Sequence, residues 1–350
     1  MRRALVVTFL VFTASFAAQD TIKIAPALSP EQQAEEDYNT GFSYLQKGDY
    51  SGATELFSKC LSVKSSFDKA YANRAVAYTH LKQYTEALND IDQAIKLNAL
   101  VADFFYNKSL IYFYLNNRDS QDVALDKCLA INAEQPDAAY YKGLINYERK
   151  IFDRAIGYYT IAIKSRPGFA FAYNDRGSAY RANNQPDLAI SDYEEAFKLD
   201  SNQVFILNNL GSALRQKKDY LKAIEVYSKA VLKDPKFVLS YLNRGVSYFE
   251  LGDLTGAEKD FEEALSVQPN SSEAYNNLAS VAIKNKDYKK AKILAGRAIE
   301  LNPNNGPAYY NRGICNQMLR EDQDCCADWK KALELGVESA RSFVFASCSN

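Results

Sequence analysis

The chain is poor in the residues that most enzyme chemistry needs. Its 350 residues include one histidine, His80, one Trp and two Met. A metal site built on several imidazoles has no raw material here, and a Ser-His-Asp triad would have only that one ring. An excess of either charge is also missing: 42 Lys and Arg stand against 43 Asp and Glu, for a net charge of −1. A generic nucleic-acid binder carries a basic surplus, so nucleic acid is not an expected partner. There is no phosphate-cradling Gly-rich loop, nucleophile elbow or zinc spacing, so neither an enzymatic activity nor a cofactor or metal is expected. A composition of 47% apolar and 24% charged residues excludes a disordered chain, and six cysteines in this length exclude a disulfide-dense miniprotein.

What is present begins with an address. Met1-Arg2-Arg3 is a short basic start, Ala4 to Phe12 is apolar except for Thr8, and Ser15-Phe16-Ala17 offers small residues around a cleavage site. This is the three-part pattern of a secretory signal over residues 1–17, too short to persist as a membrane span. Export to a periplasm, an extracellular space or a secretory lumen is expected. No later run approaches spanning length. Residues 18–33 form a tether and the start of the first helix, with Ser29-Pro30-Glu31 reading as N-cap, Pro at the first helical place and an acidic first turn.

From Ala34 to Ser339 a period of 34 residues repeats nine times without insertion or deletion. The eighth place of each copy is small: Gly41, Ala75, Ser109, Gly143, Gly177, Gly211, Gly245, Ala279 and Gly313. The twenty-seventh place is small as well, from Cys60 and Ala94 to Ala332. Large residues recur between them, as at Phe57, Tyr159, Tyr193, Tyr227, Phe261 and Trp329. Two small stripes and one bulky stripe per copy predict a pair of antiparallel helices, A and B, whose backbones approach closely. Much of the excess of 25 Tyr is therefore scaffold. Turns such as Lys47-Gly48-Asp49-Tyr50 separate A from B, and Pro167, Pro235, Pro269 and Pro303 mark copy ends. The remaining tail, 340–350, is expected to cap the apolar face of the last copy.

Four copies carry Arg at the seventh place, Arg74, Arg176, Arg244 and Arg312. The same four carry an acid sixteen residues later, Asp90, Asp192, Asp260 and Asp328. That co-occurrence predicts structural ion pairs from helix A to helix B. Arg181 and Arg215 lack this partner and are better ligand candidates. Cys60, Cys128 and Cys325 sit in small-residue slots and read as buried thiols. Cys315, Cys325, Cys326 and Cys348 crowd the end of the chain; a Cys315–Cys326 bridge is the first expectation, with Cys348 as competitor. Asn107-Lys108-Ser109 and Asn270-Ser271-Ser272 match the glycosylation pattern, the first of them inside a predicted helix.

Stretches such as AYNDRGSAYRANNQPDLAISDYEEAFKLD resemble the tetratricopeptide repeat family, and the resemblance extends over residues 34–339. It implies an all-α, right-handed α-solenoid of nine helix pairs with a concave groove. The family fold places residues 2, 5, 9, 12 and 13 of each copy on that groove. The resemblance thereby implies an aromatic end including Tyr38, Phe42, Tyr106, Phe113, Tyr140 and Tyr147, and a polar, basic middle including Arg181 and Arg215. The sixth place holds Asn39, Asn73, Asn107, Asn209, Asn243, Asn277 and Asn311. Some family members use such a ladder to hold a peptide main chain; the other reading is an Asn that bonds a neighbouring helix. The Lys and Asn pair by which some members clamp a C-terminal carboxylate is missing. The function expected is a non-enzymatic scaffold binding an extended peptide or flexible protein segment. The alternative is a self-assembling structural solenoid without a peptide ligand.

Overall fold

The computed structural model of the chain describes residues 28–348. The expected signal segment and nearly all of the tether ahead of Ser29 lie outside them. Among the described residues every regular element is a helix, and none is long and apolar enough to cross a membrane. The chain forms two compact units, one ending at Ala172 and the other beginning at Tyr173.

The first unit contains α1 (Pro30–Lys47), α2 (Tyr50–Val63), α3 (Asp68–His80), α4 (Tyr84–Leu97), α5 (Ala102–Tyr114), α6 (Arg118–Ile131), α7 (Pro136–Glu148) and α8 (Phe152–Ser165). Helix α9 (Ala170–Ala182) carries the chain into the second unit. There follow α10 (Pro186–Leu199), α11 (Val204–Gln216), α12 (Tyr220–Lys233), α13 (Val238–Leu251) and α14 (Leu254–Val267). Next come α15 (Ser272–Lys284), α16 (Tyr288–Leu301), α17 (Gly306–Met318), α18 (Asp322–Glu334), a 3-10 turn at Glu338–Ala340 and α19 (Arg341–Ser347). Up to α18 the odd helices are the A helices of the 34-residue copies and the even ones the B helices. Within each unit, short turns fold A back on B, and each hairpin packs on the next in chain order. This is an all-α solenoid arrangement.

The helix boundaries have local causes. Ser29 caps α1 as expected from sequence: its hydroxyl accepts from the Gln32 amide at 3.2 Å, and the Gln32 side chain accepts from the Ser29 amide at 2.9 Å. Many B helices begin on a side-chain cap, as where Asp49 accepts from Gly52 N at 2.9 Å and Asp253 from Gly256 N at 2.9 Å. Each A helix ends in a left-handed residue at the fifteenth place of its copy, Gly48 and Gly252 in two copies, Lys82, Lys218 and Lys286 among the others.

The core of each hairpin is one matched pair of places. Tyr159, Tyr193, Tyr227, Phe57, Phe261 and Trp329 at the twenty-fourth place are fully buried, each against the eighth-place residue of its own A helix. A Cβ built on Gly211 would lie 2.6 Å from the Tyr227 ring, and one on Gly245 2.6 Å from the Phe261 ring. Glycine is therefore a packing requirement there. The three copies with Ala or Ser at the eighth place carry the smaller Ile91, Leu125 and Ala295 opposite it.

The end of the chain folds onto the last hairpin. Phe343 of α19 packs on Trp329 with ring centroids 4.7 Å apart and on Tyr310 at 5.7 Å. The bridge is Cys326–Cys348, spanning 22 residues, and not the first-expected Cys315–Cys326. Cys315 is instead fully buried beside Ala282 and Ala291, while Cys326 faces the returning α19. Cys60, Cys128 and Cys325 are buried and outside any disulfide. Burial pushes the Cys60 thiol up to about 11, and those of Cys128 and Cys315 up to about 12, so none is poised as a thiolate.

Candidate functional site

The four seventh-place arginines are consumed by the scaffold. Arg74 donates through Nε to Asp90 at 2.6 Å and through Nη2 at 2.8 Å. Arg176 does the same to Asp192 at 2.7 and 2.8 Å, Arg244 to Asp260 at 2.8 and 2.7 Å, and Arg312 to Asp328 at 2.9 and 2.6 Å. Each is a two-pronged fork on one carboxylate joining A to B. Flanking tyrosines cover the guanidinium, as Tyr71 and Tyr78 do for Arg74 and Tyr173 and Tyr180 for Arg176. Burial pushes Asp90, Asp192 and Asp260 above the ordinary carboxylate range, further than their arginines pull them down. These arginines offer nothing to a ligand.

The asparagine row is mostly scaffold too. Asn209 Nδ2 donates to Asn174 Oδ1 at 2.8 Å, Asn243 to Asn208 at 2.9 Å, Asn311 to Asn276 at 2.8 Å, and Asn73 to the Tyr38 hydroxyl at 3.0 Å. In every case the acceptor is the fifth-place residue of the preceding copy, 35 positions back. The bond thus ties neighbouring A helices side by side. Asn107 is buried, which also removes it as a glycosylation acceptor. Asn39 is exposed on α1. Asn277 differs from the bonded members of the row: the residue 35 positions before it is Leu242, which has no acceptor. Its half-exposed carboxamide is left for other use.

Three of the six rings of the aromatic end expected in the first unit are buried in the scaffold. Tyr38, Tyr106 and Tyr140 are 1%, 0% and 4% exposed. Tyr38 packs on Phe67 at 4.6 Å between centroids, Tyr106 on Tyr141 at 6.3 Å and Tyr140 on Phe169 at 4.8 Å. The rings turn into the seam between hairpins, where apolar area is removed from water, and cannot also serve a ligand. Phe42, Phe113 and Tyr147 are half-buried, Phe113 against Tyr141 and Tyr147 against Phe152.

The first unit has a cavity of about 530 Å³ on α1, lined by Glu35, Asn39 and Tyr44 among others, and the second unit has one between its A helices. Its A helices present the fifth, ninth and twelfth places in one stripe each, since these lie on one helix face. On α13 that stripe is Leu242, Val246 and Phe249, and on α15 it is Asn276, Ser280 and Ile283. Between α13, α15 and α17 lies a cavity of about 290 Å³ lined by Leu239, Leu242, Val246 and Pro307 together with Asn243, Glu273, Asn276, Asn277 and Asn305. Its four apolar residues suit a peptide side chain, and the Asn277 carboxamide among its polar ones suits the flanking main-chain amide. On α9 and α11 the stripe is polar: Asn174, Ser178 and Arg181 beside Asn208, Ser212 and Arg215. The Ser178 hydroxyl meets Tyr193 OH at 3.0 Å, and Ser212 meets Tyr227 OH at 3.0 Å. Sequence reasoning placed Arg181 and Arg215 correctly on the A helices but missed the cavity, because no motif marks it. The one usable signal was Leu242, which interrupts the fifth-place acceptors Asn174, Asn208 and Asn276 of the second unit.

Sequence models described as tetratricopeptide repeat match residues 68–99, 102–135, 172–203 and 248–311, and one described as TPR repeat matches 211–252. Heat shock protein STI1 of Saccharomyces cerevisiae is 37% identical over 67 residues, 17% of this chain and 11% of that protein. Mitochondrial import receptor subunit TOM34 of Homo sapiens is 40% identical over 58 residues, 17% of this chain and 19% of that protein. The chain spans only 11% to 24% of the length of the curated relatives it matches. Among solved structures, Pseudomonas aeruginosa pilF superposes with a TM-score of 0.51 at 17% identity, over 62% of this chain and 98% of that one, and shares the fold.

Proposed function

The chain belongs to the tetratricopeptide repeat family, whose members are protein-interaction scaffolds, and on that premise we propose that it binds an extended peptide segment of a partner along the A helices of its second unit. The observation that carries the reading is the cavity between α13, α15 and α17, with the carboxamide of Asn277 on its wall. An extended segment gains specificity from a seated side chain and orientation from main-chain hydrogen bonds. Asn277 offers a donor and an acceptor for the second task, and Leu239, Leu242 and Val246 serve the first. The scaffold acts without catalysis. It works in an exported compartment; the segment Met1–Ala17 and the Cys326–Cys348 bridge, which suits oxidising surroundings, support that assignment.

The test compares two asparagines of the same row. A peptide is selected from a random displayed library on the full chain, then measured against Asn277→Ala and Asn209→Ala by titration and by melting. Asn209→Ala should lose about 1 kcal/mol of stability, because it leaves Asn174 without its donor. Asn277→Ala should melt like the parent and bind the peptide roughly three- to tenfold more weakly, the worth of one hydrogen bond. Unchanged affinity for Asn277→Ala, or a melting loss equal to that of Asn209→Ala, would sink the reading.

A further inference from the structure

The twelfth place separates two copies from all the others. It reads Leu45, Thr79, Phe113, Tyr147, Arg181, Arg215, Phe249, Ile283 and Gln317. The two copies with Arg there are also the only two that combine Ser at the ninth place with Tyr at the twenty-fourth. Those groups touch, through Ser178 with Tyr193 and Ser212 with Tyr227. Three polar substitutions appearing together in adjacent copies, on helices tied by the Asn209–Asn174 bond, make one local polar seat.

Among the described residues the arginines of the seat pair with no anion; the buried carboxylate beside it, Asp175, accepts from Asn174 Nδ2 at 2.8 Å. Arg74, Arg176, Arg244 and Arg312 each hold a carboxylate with Nε and Nη2. The Nε atoms of Arg181 and Arg215 are buried but meet no protein acceptor. Neither arginine is in an ion pair among the described residues. Nearby acids are taken: Asp192 by Arg176, and Asp187 by Lys217 at 2.5 Å. Arg215 reaches the Tyr227 hydroxyl, and the charge of Arg181 reaches it too, both opposing the effect of burial on that phenol. Both arginines hold the twelfth place of adjacent copies, on helices joined by the Asn209–Asn174 bond and by Gln216, whose side-chain amide donates to the Arg181 carbonyl at 3.3 Å. Buried guanidinium donors without acceptors are costly unless a bound group supplies them, and the group whose geometry matches the fork is a carboxylate.

We propose that Arg181 and Arg215 together seat a carboxylate side chain of the bound segment, so that the ligand is an acidic peptide. This rests on the reading that the A helices of the second unit bind an extended segment. The apolar stripe Leu242, Val246 and Phe249 lies on α13, beside α11, so an Asp or Glu followed by apolar residues fits the face.

The experiment is selection of a random displayed dodecapeptide library on three full-length proteins: the parent, Arg181→Gln/Arg215→Gln, and Asn277→Ala. Asp and Glu should be enriched at one position on the parent and on Asn277→Ala, and not on the double arginine variant. A selected peptide, synthesised with an amidated C-terminus, should bind the double variant at least tenfold more weakly and lose affinity in high salt. The Gln variant should melt no lower than the parent; if it fails to fold, Arg181→Lys/Arg215→Lys takes its place and should keep the acidic preference with weaker binding. Selection of peptides without acidic enrichment overturns the carboxylate seat and leaves the peptide reading standing. Enrichment that survives loss of both arginines overturns the seat as well. Binding that needs a free C-terminal carboxylate, or displacement by inorganic phosphate without acidic enrichment, reassigns the pair to another anion and overturns the proposal. Absence of any selected peptide overturns both readings.

Discussion

At Lys142 the fold buries an ammonium between two carboxylates. Its Nζ stands 2.5 Å from Asp122 and 2.7 Å from Asp126, and Arg149 holds the other oxygen of Asp122 at 2.6 Å. Lys142 replaces the arginine found at this place in four other copies, and its acids come from the preceding B helix rather than its own. The staple thus joins hairpin to hairpin. Burial raises the Asp122 carboxyl, but Lys142 and Arg149 outweigh it and hold the group below the ordinary carboxylate range. A depressed folded value contributes stability that is present above the unfolded value near 3.9 and is lost as pH falls through the folded one. Asp122→Asn should therefore cost about 3 kcal/mol at pH 7, as a broken buried pair does. Its deficit against the parent should shrink as the pH falls below about 4. Urea unfolding at pH 7 and pH 3 checks this; a deficit that stays constant between them contradicts it.

Among the elements, the hairpin is held by size matching between the eighth and twenty-fourth places. Aromatic rings meet glycine, and aliphatic residues meet Ala or Ser. Gly245→Ala should lose about 1–3 kcal/mol despite the better helix propensity of Ala, because its Cβ would press on Phe261. Combining it with Phe261→Leu imitates the pairing of the Ala and Ser copies. The two changes should then couple favourably by at least about 1 kcal/mol in a double-mutant cycle, and simple additivity would contradict the packing account. Much at this scale was legible beforehand. The period of 34 places the helices, and internal comparison of copies found the partners of Arg74, Arg176, Arg244 and Arg312. The destination of the fifth-place rings was not legible. Tyr38, Tyr106 and Tyr140 sit at the border of a helix face, where a small rotation decides between seam and solvent, and neighbours such as Phe67 and Phe169 decide it. The bridge to Cys348 was hidden because it depends on α19 folding back over Trp329, a contact with no counterpart in the other copies.

Over the whole molecule, near-zero net charge conceals a local contrast. The cations of the repeated places are matched one for one by acids, while Arg181 and Arg215 have no such match. Buried aromatic rings fill the A-helix seam of the first unit, whose cavities lie on α1 and among α5 to α8, and the second unit has a cavity between its A helices α13, α15 and α17. Repetition made the scaffold readable; the departures from repetition, at Leu242 and at the two arginines, are where a partner would be recognised. Hydrogen exchange on the full chain with and without a selected peptide tests this most directly. Bound peptide should slow exchange in Val238–Leu251 and Ser272–Lys284, the helices that line the cavity, and leave α2, α4 and α6 of the first unit unchanged. Protection confined to the first unit, or to the B helices of the second, would contradict the account.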